Sequence, residues 1–248
     1  MYLNKSEINI ELYQGIILTI ILFSIFQFLY ILTDPLSQLI FSLYEKRSYL
    51  PYSFGRLLYI DTQSFIIYVL RLVIIYLIVQ KYIGISIKEW LFQTHPSLTQ
   101  CLYWSFIGAC LALSSSILAW QESIEDPFHI VGISTVVAIV LNLIVPLQEE
   151  IVHRGILFST LLRKGRLPAY FISTGWFVLG HVPSYSELIF YGNMGLTLPH
   201  FVLLILMAIL TGYIYETTKK LSLCIIFHSA CNLTTVVSAF LNYLVEGI

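Results

Sequence analysis

Charged side chains are scarce in this chain. They make up 11% of its 248 residues, against roughly 25% in an ordinary soluble domain, and that shortfall excludes a water-solvated globule. A basic excess is missing as well: the formal net charge is −1, so there is no electrostatic footprint for nucleic acid and no acidic tail for a charge-binding partner. The four cysteines, Cys101, Cys110, Cys224 and Cys231, form no CxxC pair and fall in apolar stretches, which excludes a disulfide framework and a cysteine metal site. Cys231 in such a setting keeps its proton and is a poor nucleophile. No HExxH signature, internal repeat or low-complexity linker is present, so the chain reads as a single membrane domain over residues 1–248.

What fills the chain instead is hydrocarbon: 58% of residues are hydrophobic and the mean hydropathy is +0.83. A bilayer core takes about 20 apolar residues per helix, and on that ruler spans are expected at residues 12–33, 63–86, 99–120, 130–162, 168–182, 199–217 and 221–245. The fold class is therefore an all-α, polytopic bundle of about seven to eight transmembrane helices. The first run is too long for a signal peptide's apolar region and reads as a retained span. Pro146 interrupts the long fourth run and predicts a kink or break, which is the source of the eighth span. Turn-rich pieces are expected at 34–61, 121–129, 163–166, 183–199 and 217–220. With seven spans, Lys5, Lys81, Lys88, Arg163, Lys164, Arg166, Lys219 and Lys220 share one side, the cytoplasmic one by the positive-inside rule, and Lys46, Arg47 and Arg56 the other.

Against this background the polar residues inside spans stand out. Glu149 and Glu150 are adjacent in Pro146-Leu-Gln-Glu-Glu-Ile-Val-His-Arg-Gly155; His181 follows Trp-Phe-Val-Leu-Gly; His228 and Asn232 share Phe-His-Ser-Ala-Cys-Asn. Charges in hydrocarbon are costly and mark function by default. Counting helical rise from the basic turn at 163–166, Glu150 and His181 both lie about 20 Å from one membrane face, and His228 and Asn232 lie roughly 12 and 18 Å deep after Lys220. Three segments thus deliver acid-base groups to one layer. Taken singly, an ion pair can lock helices, a histidine can satisfy a carbonyl, and an asparagine can be interhelical glue; the shared depth favours one site.

Helical facing divides the roles. Glu150 and Arg154 are i,i+4 and form an ion pair, whereas Glu149 points about 100° away beside His153, without a cation on its own helix, and is the candidate general base. His228 and Asn232, also i,i+4, suit donation of two hydrogen bonds to one developing negative charge. His95, His129 and His200 sit at span edges or in loops. Arg71, the other intramembrane charge, is expected to snorkel, with neutralisation of a glutamate as its functional alternative.

In combination and in order, Glu149-Glu150-x-x-x-Arg154, Phe177-x-x-x-His181 and His228-x-x-x-Asn232, joined by Gly212-Tyr-Ile-Tyr-Glu-Thr-Thr, resemble the CPBP family, also called the Abi or CAAX-protease-and-bacteriocin-processing family. The resemblance covers roughly residues 145–235, within a catalytic core placed at 130–248, and leaves the helices of 1–129 without a role. His153 departs from the pattern, since members more often carry Phe there. The resemblance implies an intramembrane endopeptidase in which Glu149 and His181 activate water, His228 and Asn232 stabilise the oxyanion, and Glu150 with Arg154 hold the site together. Members are often labelled metalloproteases, and His181, His228 and a glutamate would make a His₂Glu zinc site; a metal-free glutamate-activated water uses the same residues and is preferred. The partners implied are membrane lipid and a membrane-associated peptide or protein substrate, in a cell membrane that the Ile, Tyr and Lys usage suggests is bacterial. A non-catalytic immunity or scaffold protein of the same fold is the alternative, and a transporter a weaker third.

Overall fold

The computed structural model describes residues 11–47, 52–83, 91, 95–119, 133–182 and 194–246, and they are helical throughout apart from short connections. Helix α1 runs Leu12–Arg47 and α2 Tyr52–Ile78, extended by a π-helical turn Val79–Ile83; α3 is Leu98–Ala119. The motif helix α4, Ile133–Glu150, continues without interruption into a π-helical stretch Ile151–Phe158 and a last α-helical turn Ser159–Leu162. Helices α5 (Arg166–His181), α6 (Met194–Thr218) and α7 (Leu221–Glu246) complete the bundle.

Over the described residues each expected span falls on a helix, with 84–86, 120 and 130–132 lying outside them. Among the described residues, four helices are long and apolar enough to cross a membrane: Leu12–Thr33, Ser64–Tyr82, Phe201–Thr218 and Leu221–Ser238; Leu98–Ser114 is a shorter apolar helix. Three expectations change. The piece 34–61 is mostly helix rather than turn, because α1 continues through Pro35 to Arg47 and α2 starts at Tyr52. Beyond Pro35 the sequence Leu36-Ser-Gln-Leu-Ile-Phe-Ser-Leu keeps apolar residues at helical spacing, and that pattern outweighs one missing backbone donor. Nor does Pro146 break the motif helix: α4 passes through it, and the irregularity comes after the two glutamates, where the ladder widens to the i→i+5 pattern. The turn expected at 121–129 and residues 183–193 of the one expected at 183–199, with His129, Lys5 and Lys88, lie outside the described residues; residues 194–199 of that second turn are instead the first turns of α6.

The motif helix is the hub. Helix α4 packs against α2 and α7, and its π-helical continuation against α1, α5 and α6; α3 is applied to the outside of α7 and α6. Two tight connections set the antiparallel pairs. Gly165, at φ 141°, makes the corner into α5 that only glycine adopts freely, and Lys219, at φ 55°, closes α6 with its N–H donating to the Tyr215 carbonyl at 2.9 Å. The basic turn expected at 163–166 is therefore real. In a hydrocarbon setting the hydrophobic effect does not press helices together, so close packing through small residues must do so. Gly108 of α3 is such a point: a Cβ there would stand 2.6 Å from the Phe227 carbonyl oxygen and 3.3 Å from the Cys231 sulfur. Gly108→Ala is expected to push α3 off α7 and lower stability by about 1–3 kcal/mol, read as a lower melting temperature in detergent, whereas Gly175→Ala, which meets nothing within 4 Å, should leave it unchanged.

Candidate active site

The centre of the bundle holds the charges that the sequence placed at one depth. Glu150 and Arg154 are almost completely buried, with Glu150 Oε2 3.2 Å from Arg154 Nε. The pair is held by charge more than by an aligned hydrogen bond, since Arg154 Nε has no hydrogen-bond partner. The guanidinium is fixed on its other sides, by Nη2 donating to the Ala208 carbonyl of α6 at 3.2 Å and by the Phe177 ring 4.7 Å beneath it. Glu150 Oε1 accepts from His228 Nδ1 at 2.8 Å. One carboxylate therefore links the motif helix to α6 through Arg154 and to α7 through His228.

Glu149 faces differently, as helical geometry requires. It is 23% exposed, and its Oε1 lies 3.9 Å from His181 Nε2 while its Oε2 lies 3.7 Å from His228 Nε2. The outer nitrogens of both rings are committed. A backbone carbonyl only accepts, so His181 Nδ1, 2.8 Å from the Phe177 oxygen, carries the proton; His228 Nδ1 likewise donates to Glu150. In neutral rings both Nε2 atoms then present lone pairs toward Glu149, whose buried Oε2 has no hydrogen-bond partner. Three acceptors converge on one gap that calls for a donor.

Phe177 organises the surroundings. Its ring centroid is 4.6 Å from that of His181, 5.2 Å from His153 and 6.0 Å from His228. The π-helical stretch Ile151–Phe158 carries His153 and Arg154 just past the glutamates, in keeping with the frequent placement of such wide turns at functional sites. Near the basic turn, Glu216 accepts from Arg166 Nε and from the Tyr170 hydroxyl at 2.9 Å, stapling α6 to α5. Gly212 admits the rings of Phe158 and Tyr170 to that seam, where a Cβ would lie 3.1 Å from each.

Glu149, His153 and His181 line a cavity of about 590 Å³, whose walls also include Phe23, Phe26 and Arg71. Of the six residues picked out in the sequence, Glu149, Glu150, Arg154, His181 and His228 meet in one cluster. Asn232 stands half-buried, one turn along α7 from His228, and makes no hydrogen bond to the cluster among the described residues. Arg71 lines the cavity, where Nη2 donates to the Phe26 carbonyl of α1 at 3.3 Å. Sequence reasoning also missed the Glu150–His228 bond, since nothing local couples residues on α4 and α7, and the cavity wall supplied by α1 and α2.

Residues 132–234 match the type II CAAX prenyl endopeptidase Rce1-like family. The resemblance drawn from the motifs holds over that stretch. The Rce1-like segment begins at the motif helix and ends just past Asn232, so it contains all six candidate residues and excludes α1, α2 and α3. Searches among curated proteins and among solved structures give no match.

The donor types would suit zinc, and histidines whose second nitrogen is held by a carbonyl or carboxylate are usual around metals. The spacing does not follow: among the described residues no group of three or more His, Cys, Asp or Glu side chains is placed to hold a metal ion.

Proposed function

We propose that this chain is a multi-pass intramembrane endopeptidase that hydrolyses a peptide bond of a membrane-associated protein or peptide through water activated by Glu149 and His181. One observation carries the reading: the Glu149 carboxylate lies on the cavity wall, 3.9 and 3.7 Å from two imidazole nitrogens whose outer N–H groups are already spent. A water between Glu149 and His181, at ordinary hydrogen-bond distances of about 2.8 Å from each, spans a 3.9 Å gap as the apex of a triangle. It donates one hydrogen to Oε1 and one to Nε2, which leaves its oxygen lone pair for the substrate carbonyl. Glu149 then takes the proton as the carbon–oxygen bond forms and returns it to the leaving amine as the carbon–nitrogen bond breaks.

In this reading Glu150 and Arg154 are positioning residues: they anchor His228 and fix the pitch of the helix that presents Glu149. Asn232 is assigned to the developing oxyanion, and His228 can join it only as an imidazolium, because the neutral ring spends its one N–H on Glu150. Asn232→Ala is expected to lower kcat about a hundredfold, the cost of one lost oxyanion donor; a loss of less than threefold would return Asn232 to a packing role. The reading further places all seven helices across the membrane, with the basic turn at 163–166 on the cytoplasmic side of a bacterial plasma membrane.

The test is proteolysis by the purified full chain in detergent, with products identified by mass, beside metal analysis of the same preparation. Cleavage by wild type that is lost in Glu149→Gln, and that persists after exhaustive chelation, is the expected result. Stoichiometric zinc with zinc-dependent recovery would replace the metal-free step and leave the peptidase assignment standing. A folded wild type that cleaves nothing in a membrane-protein digest would count against the assignment itself.

A further inference from the structure

Glu149 and His181 present a carboxylate and a lone pair to the cavity, so a substrate carbonyl seated there meets no hydrogen-bond donor from either. Neither His228 nor Asn232 is among the described residues of that wall. His153 is, and the proposed hydrolysis leaves it unused. It follows Glu149 by four residues, so the two side chains leave the helix as neighbours with Cβ atoms about 5–6 Å apart. The ion-pair contacts of Glu149 go to His181 and His228, not to His153. The imidazole is braced from behind: its centroid lies 5.2 Å from that of Phe177 with the planes at 80°, and the same phenyl ring supports His181 and lies under Arg154. Other donors on the motif helix and α5 are committed or sealed, the Gln148 amide on the Tyr68 carbonyl and Trp176 Nε1 away from any partner.

The surroundings of His153 decide where its proton sits. Nδ1 is sealed from water and has no hydrogen-bond partner, whereas the residue as a whole is only half-buried and lines the cavity, which it meets by the outer edge of the ring that carries Nε2. A neutral imidazole has one N–H and one lone pair to place. A hydrogen on Nδ1 would be stranded where nothing accepts it, and would add another lone pair to a cavity wall already made of acceptors. With the hydrogen on Nε2 the stranded atom is only a lone pair, the less costly orphan, and the donor faces the cavity. His153 is thus the opposite tautomer to His181 and His228, whose Nδ1 atoms keep their proton because a carbonyl and a carboxylate accept it. Three imidazoles packed around one phenylalanine divide into two that accept at Nε2 and one that donates.

We propose that His153 is a further catalytic residue of this site, the donor that receives the substrate's carbonyl oxygen as it becomes an oxyanion. The proposal rests on the peptidase reading. As the water held by Glu149 and His181 adds to the carbonyl carbon, the π pair of the C=O bond moves onto the oxygen, and His153 Nε2–H donates a hydrogen bond to it. His153 keeps its proton throughout, and the bond weakens again when the carbonyl re-forms and the carbon–nitrogen bond breaks. A carbonyl is only about 1.2 Å long, so a base and a donor from neighbouring turns of one helix can serve its two ends at once, with no closure needed to assemble them. Phe23, Val145 and Val152 make much of the remaining wall apolar, which strengthens a hydrogen bond to a developing charge.

The first test needs no substrate. In magnetic resonance spectra of the full chain in detergent, with isotope-labelled imidazole nitrogens and at a pH where the rings are neutral, the His153 signal is assigned by its loss in His153→Gln or His153→Phe. It is expected to report a hydrogen on Nε2, against Nδ1 for His181 and His228; a hydrogen on His153 Nδ1 overturns the proposal. The second test reads the transition state with a peptide that the wild type cleaves. His153→Phe keeps the edge-on packing against Phe177 and removes the donor, and is expected to lower kcat about a hundredfold with KM within about twofold and an unchanged melting temperature. His153→Gln, which restores an N–H at similar reach, should recover about tenfold of that loss or more, and it carries the test if the phenylalanine variant does not fold. A phosphinate peptide, with a tetrahedral anionic centre in place of the cleaved bond, should lose affinity in His153→Phe by the factor lost in kcat/KM, while the parent peptide binds Glu149→Gln equally with and without His153→Phe. The proposal is overturned if His153→Phe keeps kcat within about threefold of wild type, if the loss lies wholly in KM, if glutamine rescues nothing, or if phosphinate affinity does not move. A wild type that cleaves nothing would sink the peptidase reading and this role together; cleavage indifferent to His153 would sink the proposal alone.

Discussion

Glu149→Gln is expected to leave a folded protein that no longer turns over. The substitution keeps the shape and length of the side chain, and Glu149 sits at a cavity wall where its ion-pair contacts are the two long ones to His181 and His228, so the helices around it have little reason to move. What is lost is the proton acceptor. A positioned general base contributes about 10²–10⁴-fold, and here the same group also returns the proton to the amine, so kcat should fall by about a thousandfold or more while the melting temperature stays within a few degrees. Glu149→Asp is the informative companion: it keeps the base but withdraws it by one methylene from His181 Nε2, already 3.9 Å away, and should retain a small measurable fraction of activity. Wild-type rates in the glutamine variant would show that Glu149 is not the base, whatever the cavity looks like.

The helical architecture and most of the cluster could be read from residue order because the relevant physics is local or nearly so. Apolar runs of bilayer length give helices wherever they occur, and an i,i+4 spacing puts Arg154 on Glu150 regardless of the neighbours; the 3.2 Å contact follows. Common depth worked for Glu149, His181 and His228 because the turn at 163–166 and the corner at 219–220 are both tight, so counting rise from them locates a side chain to within about a turn. The same count could not say which imidazole nitrogen faces which acid. That depends on rotation of α5 and α7 about their axes, set by packing: Gly108 drawing α3 onto α7, and Phe177 wedged among His153, His181 and Arg154.

Two misreadings share one cause. Pro146 was weighed as a breaker and 34–61, which begins beside Pro35, as turn, yet helices pass through both prolines; without water to solvate an opened turn, the chain keeps its remaining backbone hydrogen bonds. The widening occurs instead at Ile151–Phe158, which has no proline and no sequence mark beyond Gly155. Arg71 was expected to snorkel toward the interface. The structure sets beside it a carbonyl and a ring from α1, along with the Tyr68 ring of its own helix, and a one-dimensional reading has no access to the contacts from α1. The family match has the same blind spot, since it starts at residue 132 and so misses the wall of the cavity that α1 and α2 provide.

Glu150→Gln should fail in the opposite way, by losing the folded state. Glu150 is fully buried and holds two groups at once, Arg154 at 3.2 Å and His228 Nδ1 at 2.8 Å. Glutamine removes the charge, and Arg154, 1% exposed, is left as a buried cation whose remaining contacts are the Ala208 carbonyl and the Phe177 ring. Removing one partner of a buried ion pair costs about 3–5 kcal/mol, a large share of an ordinary stability of about 5–15 kcal/mol. The amide oxygen can still accept from His228, which places the expected loss toward the lower end of that range. The measurement is melting temperature and detergent-extracted yield, which should both fall well below those of Glu149→Gln. Removing both charges together, as in Glu150→Gln with Arg154→Met, should recover part of the stability because no unpaired cation remains, and activity should not return with it, because His228 would still lack its anionic anchor. Identical melting behaviour of the two single glutamine variants would mean that adjacent carboxylates one helical step apart are interchangeable, and the division of labour between Glu149 and Glu150 would have to be abandoned.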